Sequence, residues 1–255
     1  FRAANEGTTP VKSTYANKLF ELFYLDGQLL IDKTVASGVD RGVEFAQGTE
    51  ASGAVIGALT TLGKQVWYGI GGGGDAKGFP GATEVVDSSL VVDATGSTAA
   101  TGSSVYFIVA LPSFMEMISG NNMVLRLNQW REQTVIDSSG KNMSAYVNSL
   151  EGWIGAAFYN KYAIVKIKNL TEDSGKGLTD TLLAKARALF PVGVQPTHIF
   201  MSRRSRRQLQ ISRSVVLNGN GGTRPNQPNV SPTPTEYEGV PIIATDSILD
   251  TETIA

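Results

Sequence analysis

The sequence predicts an α+β protein with a β-rich module set between helical segments. Three observations carry that reading. Val55, Leu59, Leu62 and Val66 recur at the spacing of one helix face. Residues 104–169 hold four strand-like runs, "SVYFIVAL", "NMVLRLNQW", "EQTVIDSSGKN" and "YAIVKIKNL". Two further helices are announced by the cap residues Thr179 and Ser202.

Taken in order, residues 11–32 read as extended, with the Asp26-Gly27 step as a hairpin or bulge signal. A long helix is predicted over roughly 39–67. Glycines 42, 48, 53, 57 and 63 weaken it, each by up to about 1 kcal/mol relative to Ala, so it needs packing along its length. Residues 69–103 are Gly/Ser/Thr-rich and irregular. Residues 104–169 then read as one compact β-rich module, in which Val165 and Ile167 alternate with Lys166 and Lys168 as a half-buried strand. Trp67, Trp130 and Trp153 fit packing in that module. In "LTDTLLAKARALFP" a second helix presents Leu182, Leu183, Ala186 and Leu189, and Pro191 closes it. "PTHIFMS" is a short strand feeding an arginine-bearing helix. Residues 218–235 form a Gly/Pro/Asn loop expected to be mobile until a neighbour orders it. "GVPIIATDSIL" is a final strand, and no internal repeat is visible.

The bulk numbers bound the function. The chain has 255 residues, 42% of them hydrophobic, enough to bury a sizeable core. Lys and Arg number 22 against 23 Asp and Glu, a net charge of −1. A protein that grips phosphates over its whole surface would carry a positive excess. With no cysteine, disulfides, thiolate nucleophiles and Cys-based zinc sites are excluded. No apolar run reaches the length of a membrane span. The chain opens "FRAANEG", without Met or a signal-peptide pattern, which points to a missing N-terminal segment.

The sequence carries no recognisable catalytic constellation. "GIGGGG", residues 69–74, matches G-x-G-x-x-G literally, with Asp93 some twenty residues on. That fingerprint needs a strand before it and a helix after it; here a helix precedes and "DAKGFPG" follows, so it reads as a turn. His198 is the only histidine and reads as structural, since no G-x-S-x-G elbow accompanies it. The acidic pairs Glu172/Asp173 and Asp246/Asp250 read as solvated surface charge. The chain therefore reads as a non-enzyme without cofactor or metal.

Residues 201–215, "MSRRSRRQLQISRSV", place five arginines in fifteen positions. On a helix capped by Ser202, Arg203, Arg206, Arg207, Gln210 and Arg213 share about a third of the circumference. Leu209, Ile211, Val215 and Val216 fall on the far sides, and Arg204 stands apart at an edge. Three fates are open to this basic face: solvation, ion pairs with acidic groups of adjacent subunits, or contact with nucleic-acid phosphate.

The order of segments carries a resemblance. "FRAANEG", the long Gly-bearing helix, "GFPGA", "SSVYFIVA", "GWIGAAFYNKYAIVKIKNL", "PTHIFMSRRSRRQLQISR" and "EYEGVPIIATDSI" follow one another. The series resembles the major capsid proteins of tailed double-stranded DNA bacteriophages, in particular the short-tailed-phage type with an insertion. The resemblance implies a Hong Kong 97-type fold. Residues 1–37 would hold the remainder of the extended loop, and 38–102 the peripheral domain with its spine helix. A β-rich insertion would span 103–170, the axial domain 171–232, and the return strand to the peripheral domain 233–255. The N-terminal arm and the outgoing half of the extended loop have no counterpart here. The resemblance further implies a subunit that self-assembles into hexamers and pentamers of an icosahedral shell. That shell would enclose double-stranded DNA in the virion after assembly in the bacterial cytoplasm. Scaffolding, portal and decoration proteins would be its partners, without a membrane, and Arg203, Arg206, Arg207 and Arg213 its candidate inter-subunit contacts. The alternatives are a nucleic-acid-binding protein using the Arg203–Arg213 helix and an encapsulin-like shell.

Overall fold

The computed structural model describes residues 2–254 apart from 9, 11, 14–16, 121–124 and 219–230. Its elements are β1 (Phe23–Asp32), α1 (Lys33–Ser37), α2 (Val43–Tyr68), α3 (Ala82–Val85), β2 (Val91–Asp93), β3 (Ser103–Ile108), β4 (Met115–Ser119), β5 (Arg126–Leu127), β6 (Arg131–Ile136) and β7 (Asn142–Phe158). They continue with β8 (Ile164–Leu170), α4 (Asp180–Ala188), β9 (His198–Met201), α5 (Arg203–Asn218), β10 (Glu236–Tyr237) and β11 (Val240–Ala244). The strands form two sheets. One has the order β10-β11-β9-β3-β8-β2; the other is built on β7, with β1 on one side and β4, β5 and β6 on the other.

The six-stranded sheet is the core. All six residues of β3 are buried, as expected of a central strand covered on both faces. Its alternation sorts side chains between two layers. Val105 and Phe107 join Val165, Ile167, Ile199 and Met201 beneath Leu183 and Ala186 of α4 and Leu209 of α5. Tyr106 and Ile108 face the other way, onto Trp67 and Tyr68 at the end of α2, Ala82 and Ile248. Each such fully buried side chain contributes about 1.5–3 kcal/mol relative to exposure.

Several expectations need correction. Residues 103–170 are not one compact module: β3 and β8 belong to the six-stranded sheet, β4–β7 to the other, and β7 takes β1 as its partner. The pairing is decided by residues far apart in sequence, which no local pattern shows. Asp26-Gly27 neither turns nor bulges; β1 runs through ten consecutive pairs with β7, Asp26 opposite Glu151 and Gly27 opposite Leu150. The β8 strand is not half-exposed at Lys166, which is buried with its ammonium 5.6 Å from the Tyr106 ring centre. Burial pulls its pKa below the usual lysine value. Trp67 packs between Tyr106 and Phe200 rather than in the β7 sheet, and Trp153 is exposed beside Tyr24.

The long helix is preceded by Gly42 at its N-cap and spans 26 residues, Val43–Tyr68, with only Gln65, Trp67 and Tyr68 buried. Leu59, expected on its packed face, is exposed together with Phe45 and Ile56. Close approach at a glycine occurs at Gly63, where a Cβ would meet the Ser247 hydroxyl; nothing lies within 4 Å at Gly48, Gly53 or Gly57. No helix among the described residues is long and apolar enough to cross a membrane.

Candidate functional site

The arginine helix starts where β9 leaves the sheet. Ser202 caps it, its hydroxyl accepting from Ser205 N at 3.1 Å, and Leu209 and Ser205 seat its inner face in the core. Arg204, which the helical wheel sets apart, is the residue sequence reasoning undervalued. Its side chain is 14% exposed and donates to Thr101 O at 2.6 Å and Asp250 O at 3.0 Å, with the Asp250 carboxylate 3.3 Å from Nε. It ties the helix to the lead-in of β3 and to the C-terminal segment. Only the edge position on the wheel hinted at this.

On the outer face the acidic partners expected from adjacent subunits are supplied by the chain itself. Arg203 pairs with Asp246 at 2.9 Å, and Arg207 with Glu172. Both arginines remain mostly exposed, at 75% and 62%. Arg213 grips Asp180 at the start of α4 through Nη2 to Oδ1 at 2.7 Å and Nε to Oδ2 at 2.9 Å, with Nε also 3.2 Å from Oδ1, and these bonds raise the arginine's pKa. Arg206 has no ion-pair partner among the described residues. The four candidate contacts thus divide: Arg213 is turned inward as a helix–helix tie, Arg203 and Arg207 stay exposed, and Arg206 is half-buried. A phosphate reaching this face would have to displace two carboxylates.

The acidic pairs sit in the same framework. Asp173 accepts from Thr98 Oγ1 at 2.6 Å, Thr171 Oγ1 at 2.8 Å, and the Ser97 and Thr98 amides. These bonds hold its carboxyl at about 2, the Thr98 hydroxyl contributing most. Gln210 donates to Ser231 O and Ser214 Oγ accepts from Ser231 N, each at 2.6 Å. The chain is therefore fastened to α5 on return from residues 219–230. Those residues, expected as a mobile loop, lie outside the described residues, as do the Val215 and Val216 side chains.

The glycine run is filled by its own chain. Gly69 ends α2 at φ +60, and a Cβ there would collide with Gly81 N and the Glu84 carboxylate. Glu84 accepts from Gly71 N at 3.0 Å and Gly81 N at 3.1 Å, while buried Gln65 bonds Asp75 and Phe79 backbone. His198 lies 3.0 Å from Thr197 Oγ1 and stacks near Phe200.

The family described as Major capsid protein GP7 matches residues 1–255. Among solved structures, the chain is similar to one from bacteriophage Epsilon15. The two are 16% identical with a TM-score of 0.66, covering 99% of this chain and 80% of that one. A weaker likeness, 12% identity and TM-score 0.37 over 94% of this chain and 83% of the other, is to the procapsid of bacteriophage JBD30. No curated protein matches the sequence.

Proposed function

Since the chain belongs to the Major capsid protein GP7 family, and is thus a structural subunit of an icosahedral phage shell, we propose that its copies group into hexamers and pentamers around packaged double-stranded DNA. The match over residues 1–255 carries this reading. The exposed outer face of α2 supports it: a 26-residue helix bearing exposed Phe45, Ile56 and Leu59 offers an apolar face that a neighbouring subunit can cover. Scaffolding, portal and decoration proteins are the further partners, and the bacterial cytoplasm is the place of assembly.

Arg203, Arg206 and Arg207 meet the neighbouring subunit in this reading. The bridges Arg203–Asp246 and Arg207–Glu172 are exposed, and such pairs are worth about 0–1 kcal/mol. Exchanging them for carboxylates of a neighbour costs little, while Arg206 gains an ion-pair partner, having none among the described residues. Negative-stain imaging of the full-length protein expressed alone tests the reading. Uniform closed shells or capsomers are expected, and persistent monomers at high concentration would overturn it.

A further inference from the structure

We infer that the turn of residues 191–194 in one copy docks into the groove between residues 171–179 and α5 of the next, head to tail around a ring. The inference rests on the capsid reading for its occupant, a second copy, and deepens that reading by naming both faces. The shapes of the two faces are independent of it.

The turn is a convex apolar point. Val192 is fully exposed, more so than any other large apolar side chain among the described residues. A lone exposed valine is ordinary, but this one is held forward on a braced turn. Gly193 takes φ +97, and Val194 N donates to Pro191 O at 3.0 Å. On one side Phe190 is buried in the core, its ring centre 6.4 Å from that of Phe107. On the other, Arg187 Nη1 donates to Val194 O at 3.4 Å. An anchor fixed in this way loses little freedom on docking.

The groove is the concave counterpart, open and about 700 Å³ in volume. Gln208 fixes its wall, accepting from Leu178 N at 3.2 Å and donating to Thr171 O at 2.8 Å. Ile211 lines it and is exposed, so an apolar surface is ready for an apolar point.

The two faces lie at opposite ends of the same elements. α4 runs from the groove to the turn, nine residues or about 14 Å. Thr197 N, just past the turn, bonds Ile108 O at 2.7 Å at one end of β3. Leu170, just before the groove, pairs with Ser103 at the other end, six residues or about 20 Å away. Contacts between unlike faces run head to tail and close into rings when the rotation allows.

Charge agrees with this pairing. Asp173 in the groove and exposed Lys185 near the turn form no ion pair among the described residues. Two grooves brought together would oppose acid to acid, whereas groove against turn opposes Asp173 to Lys185. The bridges at each face, Arg207–Glu172 and Arg187–Glu238, have exposed carboxylates and can exchange partners on contact.

The absence of cysteine makes the test clean. Val192→Cys is combined in turn with Ser174→Cys and Ile211→Cys, both exposed positions lining the groove. Within one chain the two faces lie beyond the roughly 4.4–6.8 Å between Cα atoms that a disulfide spans. Any disulfide therefore joins copies. In oxidised shells at least one pair is expected to give a ladder on a non-reducing gel that ends at the hexamer. Shells with no ladder for either pair would overturn the inference and leave the capsid reading standing. A ladder ending at the dimer would mean a reciprocal two-fold contact, and one passing the hexamer a contact between capsomers; either overturns the ring. Dimers from Val192→Cys alone, turn against turn, would overturn it too.

Amide exchange on the unmodified protein serves where variants fail to assemble. The amides of residues 174, 175, 192 and 193 should slow by roughly tenfold or more on passing from dispersed subunit to shell. Unchanged exchange would refute the contact, and so would slow exchange already present in the dispersed subunit. An unmodified protein that forms no shell overturns the capsid reading, and the inference with it.

Discussion

The Tyr68 hydroxyl sits between the end of α2 and the C-terminal segment, donating to Glu252 Oε1 at 2.7 Å and accepting from Leu249 N at 2.6 Å. Glu252 also accepts from Ser104 Oγ at 2.5 Å and bridges Gly102 through its backbone. Tyr68→Phe leaves two partly buried polar groups without their partner, a cost of about 1–3 kcal/mol. At roughly 2–4 °C per kcal/mol, calorimetry should show a clear fall in Tm. Glu252→Gln keeps an acceptor and should be milder; equal losses would contradict the geometry.

Arg213–Asp180 and Arg207–Glu172 should behave differently in double-mutant cycles. The first is bidentate and partly buried, with a coupling expected at about 1–2 kcal/mol. The second is exposed on both sides and should couple by less than about 1 kcal/mol, fading with salt. Equal couplings would remove the distinction between an internal tie and an exchangeable contact.

Asp173 gives a pH dependence. Its carboxyl titrates at about 2 in the folded chain, below the ordinary value near 3.9. A depressed pKa means the bonds to Ser97, Thr98 and Thr171 stabilise fully above about pH 4 and are lost as pH falls towards 2. Amide exchange at residues 97 and 98 should accelerate across that window, and Asp173→Asn should abolish the pH dependence. Acceleration beginning near neutrality would disprove it.

Gly53→Ala should raise the Tm of the dispersed subunit, by about 0.5–1 kcal/mol in stability, because nothing lies within 4 Å of the new methyl. Gly63→Ala should gain less, since its methyl meets the Ser247 hydroxyl. The reverse ranking would contradict the packing of α2.

Arg206→Glu with Arg207→Glu should leave the subunit folded, since Arg207 is exposed, Arg206 is half-buried without an ion-pair partner among the described residues, and surface substitutions change stability by about 0.5 kcal/mol. Shell assembly is expected to fail, because the same repulsion recurs in every subunit. Normal empty shells with reduced, salt-sensitive DNA retention would assign these arginines to phosphate instead.

What was legible in the sequence was local. Thr179 and Ser202 cap their helices as read, with Leu183, Ala186 and Leu209 buried. The order of segments, with its capsid likeness, was legible too. Hidden were the relations that distance in sequence conceals. Asp26-Gly27 carries a turn signal, yet ten cross-strand pairs with β7 overrule it. Arginines on one helical face announce a need for acids without saying whose; Asp180, Glu172 and Asp246 answer from three separate segments. Arg204 looked peripheral because its carbonyl partners lie on backbone that no residue pattern marks.

The central position of β3 bears on how the molecule is made. Its two neighbours, β8 and β9, are both translated after it, and β11 docks on β9 later still. A strand that is apolar on both faces must therefore wait, uncovered, while the chain between them emerges. High contact order of this kind slows folding and exposes nascent chains to mispairing. Completion of the core comes only when the segment bearing Ile248 and Glu252 reaches Tyr68. The surface that rests on this core is therefore complete only once the C-terminal segment is in place.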